Sequence, residues 1–421
     1  MISAARRPSH AIAARVAAVA VLLTGLGAII LMSWLVNHQY SFMFTLHTKF
    51  QFKDILGRVS NLANLRHTGN IYVPFGYQAF TYPPGAILFF WPLLWIPAEH
   101  VTLLWTLASV LALAGAFFVS LVYLTSMSRV MLAGLSCWVA VVAAAAFPEV
   151  AEGLMWGQTA TILLVMVLVD VLLLQGPAKG VLVGLATAVK IYPGLFIVVW
   201  LLRRQWRAAF TALATTVVVT GTACLLWPTS GRTFFQGEVF GGLEFDKLAS
   251  SQYVNKSNSV TAFFQRSPFH YGLLSPHLAT VISAAAMALS LFAAHRLWRR
   301  HLELSAAMVV LIGGAIGSPV AWDHYFSFLP LLGLVVLEVR WNSALAWIAL
   351  FATAVALVPW VIFRSPTTTS TWTTTYAFIA RNALLFASLA VVLAALGGGR
   401  ARGERHVGSD GPSPSRLTPT G

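Results

Sequence analysis

The chain has 421 residues, 58% of them hydrophobic and only 10% charged, with a net charge of +14 and a mean hydropathy of +0.77. Soluble domains carry about 25% charged residues, so this composition excludes a water-soluble globular protein and makes a bilayer the solvent. The basic excess is that of a multispan protein with Lys- and Arg-rich cytoplasmic loops, and no basic stripe with interleaved aromatics marks a nucleic-acid partner.

Apolar runs recur along the whole length, and about twelve read as spans: 14–36, 83–98, 101–124, 130–147, 158–175, 179–201, 207–227, 277–297, 303–317, 322–338, 342–362 and 377–397. The expected fold is therefore all-α, a polytopic transmembrane helical bundle. The first run, "VAAVAVLLTGLGAIILMSWLV", follows Arg6, Arg7 and Arg15. It is longer than the apolar core of a signal peptide and reads as a retained span. With an even count, "RRQWR" (203–207), "HRLWRR" (295–300) and "RARGER" (400–405) share the side of the N-terminus, which the basic residues make cytoplasmic. A membrane domain over 1–398 is followed by a Gly-, Ser-, Pro- and Arg-rich tail, 399–421, with the composition of a disordered segment.

Two polar loops, 37–82 and 229–276, are long for a compact bundle and fall on the outer face, where such length usually serves function. "SPVAWDHYF" (318–326) and the Thr-rich "RSPTTTSTWTTTY" (364–376) open on the same face. The segment "KGVLVGLATAVKIYPGLFIVVWLL" is irregular, because Lys190 lies near its middle and Pro193 follows. It reads either as one kinked rod or as two half-helices meeting at "KIYP".

Chemistry has few carriers here. Of only 13 acidic residues, a base for an outward-facing reaction comes from Asp54, Asp323 or the acids of the second loop. Asp54 lies in a semi-amphipathic stretch that suits a surface helix, although pairing with Lys53 or Arg58 also accounts for it. Tyr82 precedes a Pro-Pro helix start. Gln158 opens a span, as a cap or as a site residue. Lys190 is expensive in a bilayer without a partner or water, which suits an anion such as a lipid phosphate. His324 is a phosphate ligand, an acid/base residue or a helix cap. Asn255 and Arg266 belong to a polar cluster in the second loop. Cys137 and Cys224 lie in apolar runs as free thiols. There is no nucleotide-binding Gly-rich loop and no structural-metal spacing.

In order along the chain, Asp54, "GNIY", "YPPGAILFFWPL", "WGQTATILL", "GLATAVKIYPGLF", "NKSNSVTAFFQR" and "SPVAWDHYF" resemble the GT-C class of membrane glycosyltransferases. More narrowly they resemble glycosyltransferase family 87, the polyprenyl-phosphate-mannose-dependent mannosyltransferases. Where that family usually has Asn-Gln-Ser, this chain has Asn255-Lys256-Ser257. The resemblance implies a GT-C fold in the cytoplasmic membrane with its active site facing outward. It implies a polyprenyl-phosphate sugar donor, with mannose the expected hexose, and a lipid or glycan acceptor. It makes Asp54 the base and His324 its catalytic partner at the leaving phosphate. Lys190 and Arg266 would bind phosphate; Tyr82, Gln158, Asn255 and Asp323 would bind sugar or phosphate, with Asp323 also able to orient His324. No metal or other cofactor is implied. The competing class is a secondary transporter or lipid flippase, for which a broken helix with a buried lysine is typical, but no internal repeat is evident.

Overall fold

Backbone N–H and C=O groups find no partner in lipid, so a chain this apolar must satisfy them within helices. The computed structural model describes residues 8–38, 52–73, 75, 80–238, 257–266, 276–339, 341, 343–358, 378–379 and 382–397. Every regular element among the described residues is helical. In chain order these are α1 (Pro8–Asn37), α2 (Lys53–Thr68), α3 (Gly85–Phe90), α4 (Ala98–Leu124), α5 (Arg129–Ala146), α6 (Pro148–Trp156), α7 (Ala160–Leu168), α8 (Val181–Val189), α9 (Leu195–Leu202), α10 (Trp206–Leu226) and α11 (Pro228–Thr233). Then come α12 (Val260–Arg266), α13 (Pro276–Trp298), α14 (Glu303–Ile316), α15 (Val335–Glu338), α16 (Ala344–Ala356) and α17 (Ala383–Gly397).

Helix pairs pack where small residues allow it. α1 crosses α5 at Gly134, where a Cβ would stand 2.7 Å from the backbone nitrogen of Leu22. Close approach of this kind substitutes for the missing hydrophobic drive between helices in lipid.

One end of the bundle is basic. Arg129 opens α5, Lys179 precedes α8, Arg203 follows α9, and Arg296 lies in the last turn of α13. Arg203 pairs with Glu303 at 3.2 Å, and its guanidinium lies 5.2 Å from the Trp298 ring centre. Two buried acids at this end are helix caps. Asp170 accepts the backbone N–H groups of Gly180 (2.7 Å) and Val183 (2.8 Å) at the start of α8. Glu338 does the same for Leu304 (3.0 Å) and Ser305 (2.7 Å) at the start of α14. The orphan donors of a helix N-terminus and its positive dipole end make both placements favourable.

The count of about twelve spans is not what the helices show. Among the described residues five are long and apolar enough to cross a membrane alone: Ala14–Asn37, Ala98–Leu124, Arg129–Ala146, Trp206–Leu226 and Leu278–Trp298. A sixth exists only if Pro148–Trp156 and Ala160–Leu173, bent by 115°, are one span. Two expected spans turn back. At 83–98 the helical stretch Gly85–Trp95 reaches about 16 Å at 1.5 Å per residue, half of the apolar thickness. Its prolines, Pro84, Pro92 and Pro97, interrupt any longer rod. Asn37 at the end of α1 accepts a hydrogen bond from Thr102 near the start of α4 at 2.5 Å, so α1 ends and α4 begins at the same end of the bundle. At 179–201, α8 rises from the basic end and α9 descends to it, with Lys179 6.0 Å from the ring of Trp200. The half-helix reading of "KIYP" therefore holds: Lys190 ends α8 in an extended conformation, and a 3-10 turn, Tyr192–Gly194, starts the return. The stretch 322–338 is likewise no single rod but two 3-10 turns, Asp323–Phe326 and Leu329–Leu334, followed by α15.

Removing two crossings has a consequence. The turn between α6 and α7, expected at the basic end, lies instead beside α2 at the opposite end.

Candidate active site

α2 builds one wall. Its buried residues, Asp54, Ile55, Arg58, Asn61, Leu62 and Leu65, recur at helical spacing and so form one stripe. Asp54 and Arg58, one turn apart, lie on it together, 3.5 Å from each other and each 5% exposed. The helix is pinned at its start, where the Phe52 N–H donates to the Met155 carbonyl at 2.9 Å. It also lies hard against the α6–α7 turn. Gly157 there has φ +70°, and a Cβ on it would meet Ile55 Cγ2 at 2.6 Å. Glycine satisfies both the left-handed backbone and the contact.

That turn presents Gln158 to Asp54. The Gln158 side-chain Nε2 donates to Asp54 Oδ2. Gln158 Oε1 in turn accepts from the Tyr82 hydroxyl at 3.2 Å and lies 3.5 Å from Arg58 Nη2. Arg58 ties the group together: Nη1 donates to the Gly157 carbonyl and Nη2 to the Tyr82 hydroxyl, each at 2.7 Å. Its guanidinium also lies 4.7 Å from the centre of the Tyr82 ring. Burial pushes the Tyr82 phenol above its ordinary value, so it stays a neutral donor. Thr159, not Gln158, takes the N-cap position of α7, and no side chain caps that helix. The cap reading of Gln158 is thereby replaced by the bond to Asp54.

Lys190 faces this group from the break after α8. Its ammonium lies 4.0 Å from the Tyr325 ring centre and 5.9 Å from those of Tyr82 and Tyr192. Three electron-rich faces stabilise the cation, while among the described residues it has no hydrogen-bond or carboxylate partner. Such a group is ready to receive an anion. The Tyr325 ring also neighbours that of His324, with centroids 5.2 Å apart. His324 is 1% exposed. Its backbone N–H donates to Glu152 Oε2 at 2.9 Å, and its Nδ1 lies 3.5 Å from the same oxygen.

The fold thus brings Asp54, Tyr82, Gln158 and Lys190 together, with His324 joined to them through the Tyr325 ring. Asp323 is adjacent and accepts from Asn258 Nδ2 at 2.6 Å, which ties the 323–326 turn to the segment leading into α12. The carboxylate against the His324 ring nitrogen is that of Glu152. Asn255 lies outside the described residues. Arg266 ends α12, and its side chain is outside the described set as well. Among the described residues, no group of three or more His, Cys, Asp and Glu is placed to hold a metal ion.

Three residues of the cluster were not singled out from sequence. Arg58 was visible as an i+4 neighbour of Asp54 but read only as its neutraliser. Asn258 stands three residues past Asn255 in the same motif. Glu152 carried no signal, because its turn was expected at the other end of the bundle.

Chemically the cluster has an acceptor-only carboxylate, held by side-chain donors, on one side. A cation and an imidazole stand on the other. A hydroxyl between them could lose its proton to Asp54 while an anion departs toward Lys190 and His324.

The model of glycosyltransferase family 87 matches residues 80–321 of the chain. That stretch contains Tyr82, Glu152, Gln158 and Lys190; Asp54, Arg58, Asp323 and His324 lie just outside it. Among curated proteins, the chain is 25% identical over 360 residues to a Mycobacterium tuberculosis polyprenol-phosphate-mannose-dependent alpha-(1-2)-phosphatidylinositol mannoside mannosyltransferase. The alignment covers 77% of this chain and 78% of the relative. It is 26% identical over 328 residues to a Mycobacterium tuberculosis enzyme named for phosphatidylinositol pentamannoside, covering 75% of this chain and 74% of the relative. A Mycolicibacterium smegmatis protein of the same name is 27% identical over 298 residues, covering 68% of this chain and 69% of the relative.

Proposed function

The chain belongs to glycosyltransferase family 87, and on that premise we propose that it transfers a mannosyl residue from a polyprenyl-phosphate donor to a lipid or glycan acceptor. Mannose and the polyprenyl carrier are the donor named for the matched relatives. A phosphatidylinositol mannoside is the acceptor named for them and the first to try here. The family match sets aside the transporter reading.

The observation that carries the proposal is Asp54: a buried carboxylate whose partners are side chains, opposite an ammonium set among the Tyr325, Tyr82 and Tyr192 rings. In this reading Asp54 accepts the proton of the acceptor hydroxyl as its oxygen attacks the anomeric carbon. The bond from that carbon to the phosphate oxygen breaks, and its electron pair leaves with the polyprenyl phosphate. Lys190 and His324 stabilise the charge that grows there, with Arg266 available from α12. Gln158 and Arg58 hold the Asp54 carboxylate in place, Tyr82 bridges them toward Lys190, and Asp323 and Asn255 are assigned to the sugar or its phosphate. A lipid monophosphate carries less charge than a nucleotide diphosphate, so the cations of the chain are sufficient for it.

The basic end of the bundle supports a cytoplasmic location for that side. The cluster, at the opposite end, then faces outward across the cytoplasmic membrane, together with loops 37–82 and 229–276. The proposed membrane domain is 1–398, followed by the tail 399–421.

The test is direct. Membranes bearing the chain are supplied with labelled polyprenyl-phosphate mannose and phosphatidylinositol mannosides. Label in a larger glycolipid, absent from membranes lacking the chain, supports the reading. Label that stays on the donor with every lipid and glycan acceptor offered contradicts it.

A further inference from the structure

α6 bridges the two halves of the cluster. Its C-terminal turn holds Arg58 and Asp54 through Gly157 and Gln158, and one turn earlier it carries Glu152 to His324. α6 and the 323–326 turn are in van der Waals contact and share hydrogen bonds. A Cβ on Gly153 would lie 3.5 Å from His324 Cβ. The Ser327 hydroxyl donates to the His324 carbonyl at 2.7 Å and lies 3.2 Å from the Glu149 carbonyl. Glu152 reaches both the backbone N–H and the ring of His324 with one oxygen.

We propose that Glu152 is a positioning residue for the transfer reaction, holding Nδ1 of His324 so that Nε2 is the nitrogen offered to the leaving phosphate. This rests on the transferase reading above. An ionised carboxylate only accepts hydrogen bonds, so the nitrogen facing Glu152 carries a proton. With Nδ1–H engaged there, Nε2 donates to a phosphate oxygen only when the ring is an imidazolium. Among the described residues Nδ1 is buried and completes no hydrogen bond. The 3.5 Å separation is longer than a good hydrogen bond, and such contacts commonly tighten when substrate binds. Other charges stand around the ring: Lys190 from the break after α8, Asp54 and Arg58 from α2, and the adjacent Asp323. Glu152 is the carboxylate in contact with the ring, and its negative charge offsets the Lys190 cation.

Burial and then the Lys190 cation push the ring pKa down to about 3, well below its ordinary value. The imidazolium therefore forms only once the donor's anionic phosphate faces Nε2, and transfer should fall at high pH as His324 in that complex loses its second proton. Glu152→Gln removes the negative charge but keeps the shape. It should move that fall to lower pH by about one pH unit or more. Above the new limit kcat then drops about tenfold for every pH unit the limit has moved, with KM for the acceptor little changed. Glu152→Asp keeps the charge and should leave the limit near its original place. In a His324→Gln background, adding Glu152→Gln should bring no further loss, because the pair acts as a unit. Each rate is taken per folded molecule in detergent. The proposal is overturned if Glu152→Gln keeps the wild-type pH profile, or if it costs the same factor with and without His324. Absence of transfer by the wild-type chain defeats the transferase reading itself, a different and separately visible outcome.

Discussion

Asp54 and Asp170 are both buried carboxylates in a chain that can ill support them, at 5% and 0% exposure. They sit at opposite ends of the bundle and are held in different ways. Asp170 is bound by two backbone N–H groups of α8, which the helix itself fixes in place. Asp54 is bound by the Gln158 and Arg58 side chains, contributed by the α6–α7 turn and by its own helix. Burial alone does not separate a structural acid from a chemical one. The partners do, because backbone donors hold a carboxylate's oxygens permanently, whereas side-chain donors can yield to a substrate hydroxyl.

The largest effect that sharpens this contrast is expected from Asp54→Asn. Loss of a general base lowers transfer by about 10²–10⁴-fold, with unchanged amounts of folded protein in the membrane. Lys190→Met keeps an apolar stem among the three tyrosine rings and removes the cation. Transfer should fall by about 10²–10³-fold, the scale for removing one preorganised charge-stabilising group, as measured by the rate at saturating donor. Asp170→Asn should do the reverse. It weakens a helix cap by about 1–3 kcal/mol, visible as a lower melting midpoint in detergent, while transfer per folded molecule holds. Gly157→Ala lies between the two behaviours. It forces a side chain into a left-handed backbone at about 1–2 kcal/mol, and pushes Ile55, next to Asp54, out of register. A small drop in stability with a larger proportional drop in transfer is expected, because α2 carries the base.

Much of the fold is legible in the sequence. Apolar runs fixed the helical class, and the lysine followed by Pro193 marked the break that became α8 and α9. Span counting failed where hydropathy cannot see direction. An apolar run of the length of 83–98 looks the same whether it crosses or dips and returns. The contact between Asn37 and Thr102 shows the return. Asp54, Tyr82, Gln158, Lys190 and His324 were readable as candidates because each is a costly residue in an apolar chain or part of an ordered motif. Their mutual arrangement was not, and neither was Glu152. Their meeting depends on two segments folding back. Arg58 shows a different limit, since an i,i+4 spacing predicts its pairing with Asp54 but not that its other donors reach Gly157 and Tyr82.

The account is tested most directly by measuring, in one preparation, label transferred per folded molecule for Asp54→Asn and Asp170→Asn against the unaltered chain. Transfer lost in Asp54→Asn at normal folded yield, and retained per folded molecule in Asp170→Asn at reduced stability, is the predicted result. Normal transfer by folded Asp54→Asn would contradict it.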